Sequence, residues 1–362
     1  SYLQVSNLLS HTLNNFFIGS KSYSMLNNKK KLDDPLNELA LPNFARLGIN
    51  HHSPTSLSYP DGVFIYRYLI CDQETRRQFE GNANMAAGVA VNNALQYYYA
   101  HKIWKHNPLT KKLALVENKK FTNEEAIDKA MEEYRKYNPV DELDQEKFDH
   151  YLETIPQTIR QGFIIFNELC GNRHIVCEAA ANHKPKGLDL GISGRIDFKV
   201  FSEQDLVEEQ SPPGDFITPL SVLELKCSFQ KGMKRRKDGS RSFSNAKLPS
   251  IPHINHLKQI SFYHSAARPV VSKLVYLTAD GFKVFDKNNC TDLEPVNLNN
   301  YYNQLIRTAK RRERLLRRYD HINDTDRIKK ELILDTSGGF DHPFYWKIGN
   351  RFVQHAKELW SQ

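Results

Sequence analysis

Cysteine is scarce in this sequence, and no two cysteines form a Cys-x-x-Cys pair. The five cysteines are odd in number and scattered: Cys71, Cys170, Cys177, Cys227 and Cys290. This disfavours a secreted, disulfide-stapled scaffold and predicts a reducing compartment, the cytoplasm of a bacterial or phage-infected cell, with the mitochondrion as an open alternative. Cys170, His174 and Cys177 suggest zinc only weakly, because no second ligand pair follows at zinc-finger spacing.

Long apolar runs and nucleotide-binding glycine motifs are also missing. No run approaches the roughly 20 apolar residues of a membrane helix, so we expect no membrane partner. The N-terminal stretch has neither the apolar segment of a signal peptide nor the arginines of a transit peptide. The sequence lacks a G-x-x-x-x-G-K-S/T loop, a dinucleotide fingerprint and a G-x-S-x-G elbow, which disfavours ATPases, dehydrogenases and serine hydrolases.

Positive charge, in contrast, is abundant and clustered. Lys and Arg number 50 against 42 acidic residues, a formal net charge of +8. We predict that the first cluster and one aromatic residue within it bind DNA: Lys231, Lys234, Arg235, Arg236, Lys237, Arg241, Phe243 and Lys247. Rings among cations, here Phe229 and Phe243, can stack on unpaired bases. A second cluster, between residues 307 and 318, is either a DNA contact or an ordinary solvated helix face.

The order of the predicted elements indicates an α/β (α+β) fold, with a mixed central sheet flanked by helices. Apolar residues recur at helical spacing up to residue 170 and at strand spacing beyond it. We predict helices at 73–104, from Thr122 onward, and at 143–170, 253–267 and 297–319. We predict strands at 174–182, 190–201 and 219–227, then a hairpin of 272–279 with 281–285.

This order divides the chain into three parts. Residues 1–72 form an N-terminal extension, and 73–290 form the core. Residues 291–362 form a C-terminal helical region whose aromatic tail, 338–362, is expected to pack on the core. An acidic segment with a Pro-Pro-Gly sequence, 203–215, is expected to be an exposed excursion between two hairpin strands.

Two predicted strands carry the polar residues of a candidate catalytic site. Asp197 alternates with three apolar residues, Ile196, Phe198 and Val200, and is therefore expected on the opposite face of its strand. Glu224 and Lys226 share one face of the next strand, opposite Leu223, Leu225 and Cys227. Two carboxylates and an ammonium on one sheet face form a workable site for phosphodiester cleavage.

A hard divalent cation suits this arrangement. Mg²⁺ prefers oxygen ligands and uses one or two carboxylates with waters, and Mn²⁺ can replace it. Asp197 and Glu224 supply such carboxylates, and the Leu225 carbonyl is a candidate third ligand. Lys226 can position a water molecule or stabilise negative charge on the reacting phosphate. Taken alone, a Glu-x-Lys strand is common and is more often an exposed ion pair at a sheet edge than a catalytic site.

Gln259 and Tyr263 lie four residues apart and share one face of a predicted helix. With them, the order Asp, Glu-x-Lys, Gln-x-x-x-Tyr resembles the RecB-like branch of the PD-(D/E)XK nuclease superfamily. This branch includes CRISPR-associated nucleases and a mitochondrial genome maintenance exonuclease. The resemblance covers residues 85–290, is strongest over 175–280, and implies a restriction-endonuclease-like core.

The resemblance implies roles for individual residues. Asp197 and Glu224 would bind the metal, Lys226 would be the catalytic lysine, and Gln259 and Tyr263 would support the site and contact the DNA backbone. Glu178, an acid that precedes the Asp strand, would bind a second metal or orient Lys226; its alternative is an ordinary solvent-facing residue.

Two departures from the family pattern stand out. Many members carry a G-x-x-x-H helix whose histidine reaches the metal. Here the match is Gly88-Val-Ala-Val-Asn92, so Asn92 would be a weaker, non-titrating ligand. No cysteine cluster lies near the C-terminal end of this sequence, and we therefore expect no iron–sulfur cluster.

The function that these residues predict is metal-dependent exonuclease activity on DNA ends. The preference for single strands, and a role in replication, recombination, repair or phage DNA metabolism, come from the resemblance alone, as does an expected replication or recombination protein partner. A double-strand exonuclease and a structure-specific endonuclease are the enzyme alternatives. A nucleic-acid-binding module that does not cleave is the alternative from another class.

Overall fold

A computed structural model describes residues 49–58, 61–71, 82–106, 113–202, 218–230, 232–235, 237, 241–319 and 358. The helices of these residues are α1 Pro54–Leu57, α2 Asp61–Ile65, which continues as a π-helical turn over Tyr66–Ile70, α3 Ala83–Tyr99, α4 Asn123–Tyr134, α5 Glu142–Cys170, α6 Ile254–Ala267 and α7 Pro295–Tyr319. The strands are β1 Lys102–His106, β2 Leu113–Glu117, β3 His174–His183, β4 Ile192–Phe201, β5 Ser221–Cys227, β6 Gly232–Arg235, β7 Arg241–Ser244, β8 Val271–Thr278 and β9 Gly281–Phe285.

The described strands form one sheet of seven and one separate hairpin. The large sheet has the order β2-β1-β3-β4-β5-β8-β9, and β6 pairs with β7. The pairs β1–β3 and β5–β8 are parallel, and the other neighbours of the large sheet are antiparallel. A mixed central sheet flanked by helices confirms the predicted α/β fold.

Local sequence explains where the long helices begin and end. Thr122 caps α4 through the Glu125 backbone amide, and the Glu125 carboxylate accepts from the Thr122 amide in return, which satisfies two otherwise unpaired donors. Asp141 caps α5 from one side only, because its carboxylate accepts from the Asp144 amide. Helix α5 ends at Gly171, whose φ of 52° is readily adopted only by a residue without a Cβ atom.

The first helix of the core is shorter than predicted. The sequence pattern favoured a helix over 73–104, but α3 ends at Tyr99 and residues 102–106 form the strand β1. Asn118 ends the helix, because its side-chain amide donates to the carbonyl oxygens of Gln96, Tyr97 and Ala100, at 3.1–3.3 Å. The chain is then free to turn into the sheet, where β1 pairs with β3.

Two apolar cores cover the two faces of the sheet. Helices α3, α4 and α5 pack against one face, with Phe198, Leu223 and Leu225 among its strand residues. Helices α6 and α7 pack against the other face, which includes Ile196 and Val222. Ile196 and Phe198 therefore belong to different cores, and the predicted common face for Ile196, Phe198 and Val200 was wrong.

The described part of the N-terminal segment is docked on helix α7. The Glu313 carboxylate, 2% exposed, lies 3.1 Å from the His52 imidazole and accepts from the amides of Asp189 and Leu190 at 2.8 and 2.9 Å. The neighbouring Arg312 guanidinium is fully buried and lies 4.4 Å from the Phe64 ring centroid. Arg312 is thus an interior residue. It belongs to the second basic cluster, but its burial prevents it from contacting DNA.

Several expectations fall outside the described residues. These include most of 1–72, the acidic segment 203–215 and the aromatic tail 338–362. Among the helices that the structure describes, none combines the length and apolar character that crossing a membrane requires.

Candidate active site

Three acidic residues lie side by side on adjacent strands of the sheet. The antiparallel register pairs Cys177 with Phe198 and Phe198 with Leu223. At the next level of the sheet, one residue from each of these, Glu178, Asp197 and Glu224 lie in a row across β3, β4 and β5. The sequence predicted the proximity of Asp197 and Glu224 from strand spacing, and the structure places these two as predicted.

Strands β4 and β5 part where this row begins. Their backbone pairing extends only from Phe198–Leu223 to Val200–Ser221. Beyond it the Asp197 carboxylate takes the place of a backbone acceptor, because its Oδ2 atom accepts from the Leu225 amide at 2.9 Å. Leu225 therefore lies beside Asp197, and metal ligation by its carbonyl stays a prediction.

Lys226 connects the acids to helix α6. Its Nζ atom lies 2.6 Å from Glu224 Oε1 and donates to Gln259 Oε1 at 2.9 Å. The amide of Gln259 in turn donates to the Tyr263 hydroxyl at 3.2 Å. Four of the five predicted catalytic side chains thus form one hydrogen-bonded chain, in which Gln259 fixes the ammonium and Tyr263 fixes Gln259, and Asp197 is held beside it by the Leu225 amide.

The carboxylates and the lysine perturb each other's ionisation. Burial, followed by the charge of Glu224, raises the pKa of Asp197 well above its usual range. Burial likewise raises the pKa of Glu224, although the nearby Lys226 opposes the shift. For Lys226, burial lowers the pKa, but the carboxylates of Glu224 and Asp197 outweigh it and the net direction is upward. One ammonium therefore serves a cluster of acids, and a further cation at this place is electrostatically favoured.

A glycine of β4 makes room for Tyr263. A Cβ atom at Gly194 would lie 2.9 Å from Tyr263 Cε1 and 3.2 Å from its hydroxyl oxygen. The Tyr263 side chain is buried, and burial together with the charge of Glu224 raises its pKa well above the usual value, so it is a neutral hydroxyl. The Gly-x-x-Asp spacing of 194–197 thus places an acid three residues from the contact with the helix.

Glu178 is held by Asn92, a predicted site residue, and by Gln96 and Arg195, which were not predicted to belong to the site. Its Oε1 atom accepts from the side-chain amide of Gln96 at 2.8 Å and from that of Asn92 at 3.4 Å. Its Oε2 atom lies 3.6 Å from the Arg195 guanidinium. Gln96 follows Asn92 by one helical turn, and Arg195 precedes Asp197 by two strand positions, so both shared a predicted face with a named residue and could have been found.

The backbone at Glu178 is strained. Its φ of 54° lies in the left-handed region that residues with a Cβ atom rarely adopt. Conformations of this kind cost about 1–3 kcal/mol and are retained where surrounding contacts impose them. The amides of α3 provide such contacts, and they hold the carboxylate at the end of the acidic row.

Two buried oxygen atoms of this cluster have no hydrogen-bond partner. They are Glu224 Oε2 and Asn92 Oδ1; the Asp197 carboxyl lies near enough to Glu224 to bond it, but only when the two share a proton. Buried polar oxygens without partners are uncommon and fit a cation ligand, and carboxylate and amide oxygens suit Mg²⁺ or Mn²⁺. The described residues contain no group of three or more His, Cys, Asp and Glu side chains arranged to hold a metal ion. Asp197 and Glu224 would therefore need amide oxygens, waters or substrate oxygens to complete a set of metal ligands.

A histidine lies behind Lys226. His256 is on α6, one turn before Gln259, and its Nδ1 atom lies 2.8 Å from the hydroxyl of Tyr276, the β8 residue that pairs with Lys226. Burial, then the charge of Lys226, lowers the pKa of His256 to about 2. His256 is therefore neutral and adds no positive charge to the site.

The predicted DNA-binding cluster is only partly described. Lys231 and Arg236 lie outside the described residues, and Arg235 belongs to β6. Three lysines are exposed: Lys234, Lys237 and Lys247.

The remaining members of that cluster contact helix α5. Arg241 forms an ion pair with Glu146, with 2.9 Å between Nη1 and Oε1. The Phe243 ring stacks on the His150 ring at 5.3 Å between centroids. Phe229 is 1% exposed and packs on Tyr151, so the suggestion that it stacks on bases was wrong. The hairpin is thereby fixed to α5, with its exposed lysines directed to solvent.

Comparisons with known proteins add little to this geometry. No family model matches the chain, and no curated protein matches it. A solved structure described as "Crystal structure of SSO0001" is similar over 45% of this chain and 67% of its own, at 18% sequence identity and a TM-score of 0.23. A likeness at this level carries no argument about the fold or the activity.

Proposed function

We propose that this chain is a metal-dependent DNA exonuclease with its active site at Asp197, Glu224 and Lys226. The observation that supports the proposal most strongly is the unpartnered, buried Glu224 Oε2 atom beside an ammonium held by two hydrogen bonds. The motif resemblance to the RecB-like PD-(D/E)XK nucleases points to the same residues and supplies DNA as the substrate and single-strand ends as the preference.

Within this proposal, each residue has a separate task. Asp197 and Glu224, with Asn92 and Glu178 behind them, would hold Mg²⁺ or Mn²⁺, which when bound lowers the pKa of a water molecule and offsets phosphate charge. An ammonium has three N–H donors, and the Lys226 hydrogen bonds to Glu224 and Gln259 use two of them. The third is available to orient a water molecule or to donate to a phosphate oxygen.

The proposal is tested with DNA substrates that separate its alternatives. End-labelled linear single strands, linear duplexes and a closed circular single strand are each incubated with Mg²⁺, Mn²⁺ or EDTA. We expect metal-dependent shortening of linear strands and an intact circle. We expect Lys226→Met to be slower by at least about 100-fold, because removal of one preorganised electrostatic donor has an effect of that order.

A matched lysine provides the control. Lys273 lies on the adjacent strand β8, is 22% exposed against 21% for Lys226, and also pairs with a carboxylate, 3.0 Å from Asp286. Lys273→Met should cleave like the wild type, and equal losses in the two variants would point to a general folding effect. Cleavage of the circle would indicate an endonuclease. Faster shortening of duplexes than of single strands would indicate a double-strand exonuclease. DNA binding without cleavage in the presence of either metal would favour the alternative of a nucleic-acid-binding module that does not cleave.

A further inference from the structure

Helix α7 carries an open basic groove that the proposed active site does not use. The groove has a volume of about 560 Å³ and is open to solvent. Its lining consists of five cations, one hydroxyl and one apolar residue: Arg307, Thr308, Lys310, Arg311, Arg314, Leu315 and Arg318. No acidic residue of the described chain lines it.

The arginines of the groove form a straight stripe. Arg307, Arg311, Arg314 and Arg318 recur at spacings of four, three and four residues, and all four are exposed. Such spacing places side chains on one face of a helix. The interval from Arg307 to Arg318 spans about 16 Å at 1.5 Å per residue. One strand of DNA in B form has a phosphate about every 3.4 Å along its axis, so the stripe could face about five phosphates.

Neighbouring acids neutralise only part of the charge on this helix. Asp61 pairs with Arg311, with 2.8 Å between the carboxylate and the guanidinium, and Asp189 pairs with Arg317, which lies outside the groove lining. Arg307 and Arg314 each donate to a carbonyl oxygen one turn earlier, and these hydrogen bonds leave their charge uncompensated. The groove therefore keeps a strong excess of positive charge.

The groove is connected to the helix that carries Gln259. Helices α6 and α7 pack together in one apolar core. Lys258, the residue before Gln259, is close enough to Arg312 and Arg311 that their charges, after burial, lower its pKa. Positive potential thus extends from the stripe to the helix that holds the active-site lysine.

We propose that this groove binds the phosphate backbone of a nucleic-acid strand whose end is held in the active site, an inference that rests on the proposed function. Guanidinium groups suit phosphates because they donate two parallel hydrogen bonds, and a row of them follows a backbone without reading its sequence. A single half-buried leucine offers little for a lipid bilayer or for the apolar side chains of a peptide.

The test neutralises three exposed arginines together, in Arg307→Gln/Arg314→Gln/Arg318→Gln. The control variant Lys119→Gln/Arg135→Gln/Lys136→Gln removes the same charge from exposed residues near α4, on the other face of the sheet. Binding of labelled oligothymidines, one short and one long, is measured by fluorescence anisotropy in EDTA, where no cleavage occurs, over a series of salt concentrations. Thermal melts check that both variants fold.

We expect the groove variant to bind the long strand on the order of 100-fold more weakly at 0.1 M salt. We also expect the slope of log K against log salt to fall in magnitude by about 2, the value for three lost contacts to a single strand. The control should lose far less, and the loss should be greater for the long strand than for the short one, because only a long strand can contact the groove and the active site together.

Equal binding of the long strand by the groove variant and the control would overturn the inference. So would a groove variant that loses affinity for anionic phospholipid vesicles but not for DNA. These results are separate from those for the nuclease, since the affinities do not depend on cleavage. Weakened long-strand binding in a protein that cleaves nothing would leave the groove as assigned and remove the catalytic proposal.

Discussion

Replacing Gly194 by alanine should disturb the proposed active site without removing any polar group. The added Cβ atom would lie 2.9 Å from Tyr263 Cε1, whereas ordinary contacts begin at 3.4 Å, so the ring must move by about 0.5 Å. Tyr263 is 3% exposed and Phe262 beside it is fully buried, so neither ring has room to move freely. Overpacking of this kind destabilises a protein by about 1–3 kcal/mol.

The displacement should also affect the proposed cleavage reaction. Tyr263 accepts from Gln259, and Gln259 accepts from Lys226, so a shift of the ring is passed to the ammonium. A misplacement of 1 Å can slow an enzyme by about 100-fold, so about 0.5 Å is expected to lower kcat roughly tenfold. The assay is steady-state cleavage of a labelled single strand, together with urea unfolding monitored by circular dichroism.

Two further variants make this prediction refutable. Gly88→Ala is the control, because a Cβ atom there meets nothing within 4 Å and a helical Gly→Ala change is favourable by up to about 1 kcal/mol. Replacing the ring by a smaller side chain, in Tyr263→Leu, should relieve the crowding. Gly194→Ala should therefore destabilise the Tyr263→Leu variant much less than the wild type. A Gly194→Ala protein with wild-type stability and kcat, or an equal loss of stability in the Tyr263→Leu background, would refute the steric argument.

Two other predictions concern the metal and the pH dependence of stability. Asn92→His should lower the Co²⁺ concentration for half-maximal cleavage by at least about tenfold with little change for Mg²⁺, because imidazole favours later transition metals. The control is Asn93→His, since the Asn93 side chain donates to Glu133 instead. Equal Co²⁺ dependence in the two variants would show that Asn92 does not belong to the metal site. The pKa of His256 is lowered to about 2 in the folded state, against about 6.5 in the unfolded state. Below pH 6.5 the unfolded state therefore binds more protons, and the free energy of unfolding falls as the pH drops below about 6.5. From pH 7 to 5.5 the wild type should lose about 1 kcal/mol more unfolding free energy than His256→Gln, and parallel losses would show that His256 titrates normally.

Strand periodicity was sufficient to predict the centre of the site. A two-residue repeat places Glu224 and Lys226 on one face whatever the rest of the chain does, and the structure has them there. The same rule failed at Ile196, which packs in the other core from Phe198. The alternation of β4 is interrupted beside Glu178 of the neighbouring strand β3, whose φ is 54°. A left-handed residue with a Cβ atom has no sequence signature, so the change of face could not be predicted.

The elements that sequence analysis missed depend on distant partners. The strand β1 is short and follows a helix without a glycine or proline between them. It pairs with β2, which was not predicted either, and it joins the sheet through β3, more than 70 residues away. Hairpin β6–β7 lies within the basic cluster, where charge conceals strand spacing, and it is held by contacts of Arg241 and Phe243 with α5. Patterns within one segment contain no information about such partners.

The burial of Glu313 against His52 has a consequence for how the chain folds during synthesis. These two residues are 261 positions apart, and the N-terminal segment around His52 also pairs with the first residues of β4. At about 5–20 residues per second, a ribosome needs roughly 10–50 seconds to make the intervening chain. For that interval the carboxylate that will receive His52 does not yet exist. Completion of the fold around α7 is therefore a late event, and newly made chains should stay sensitive to proteases near residue 52 until α7 has emerged.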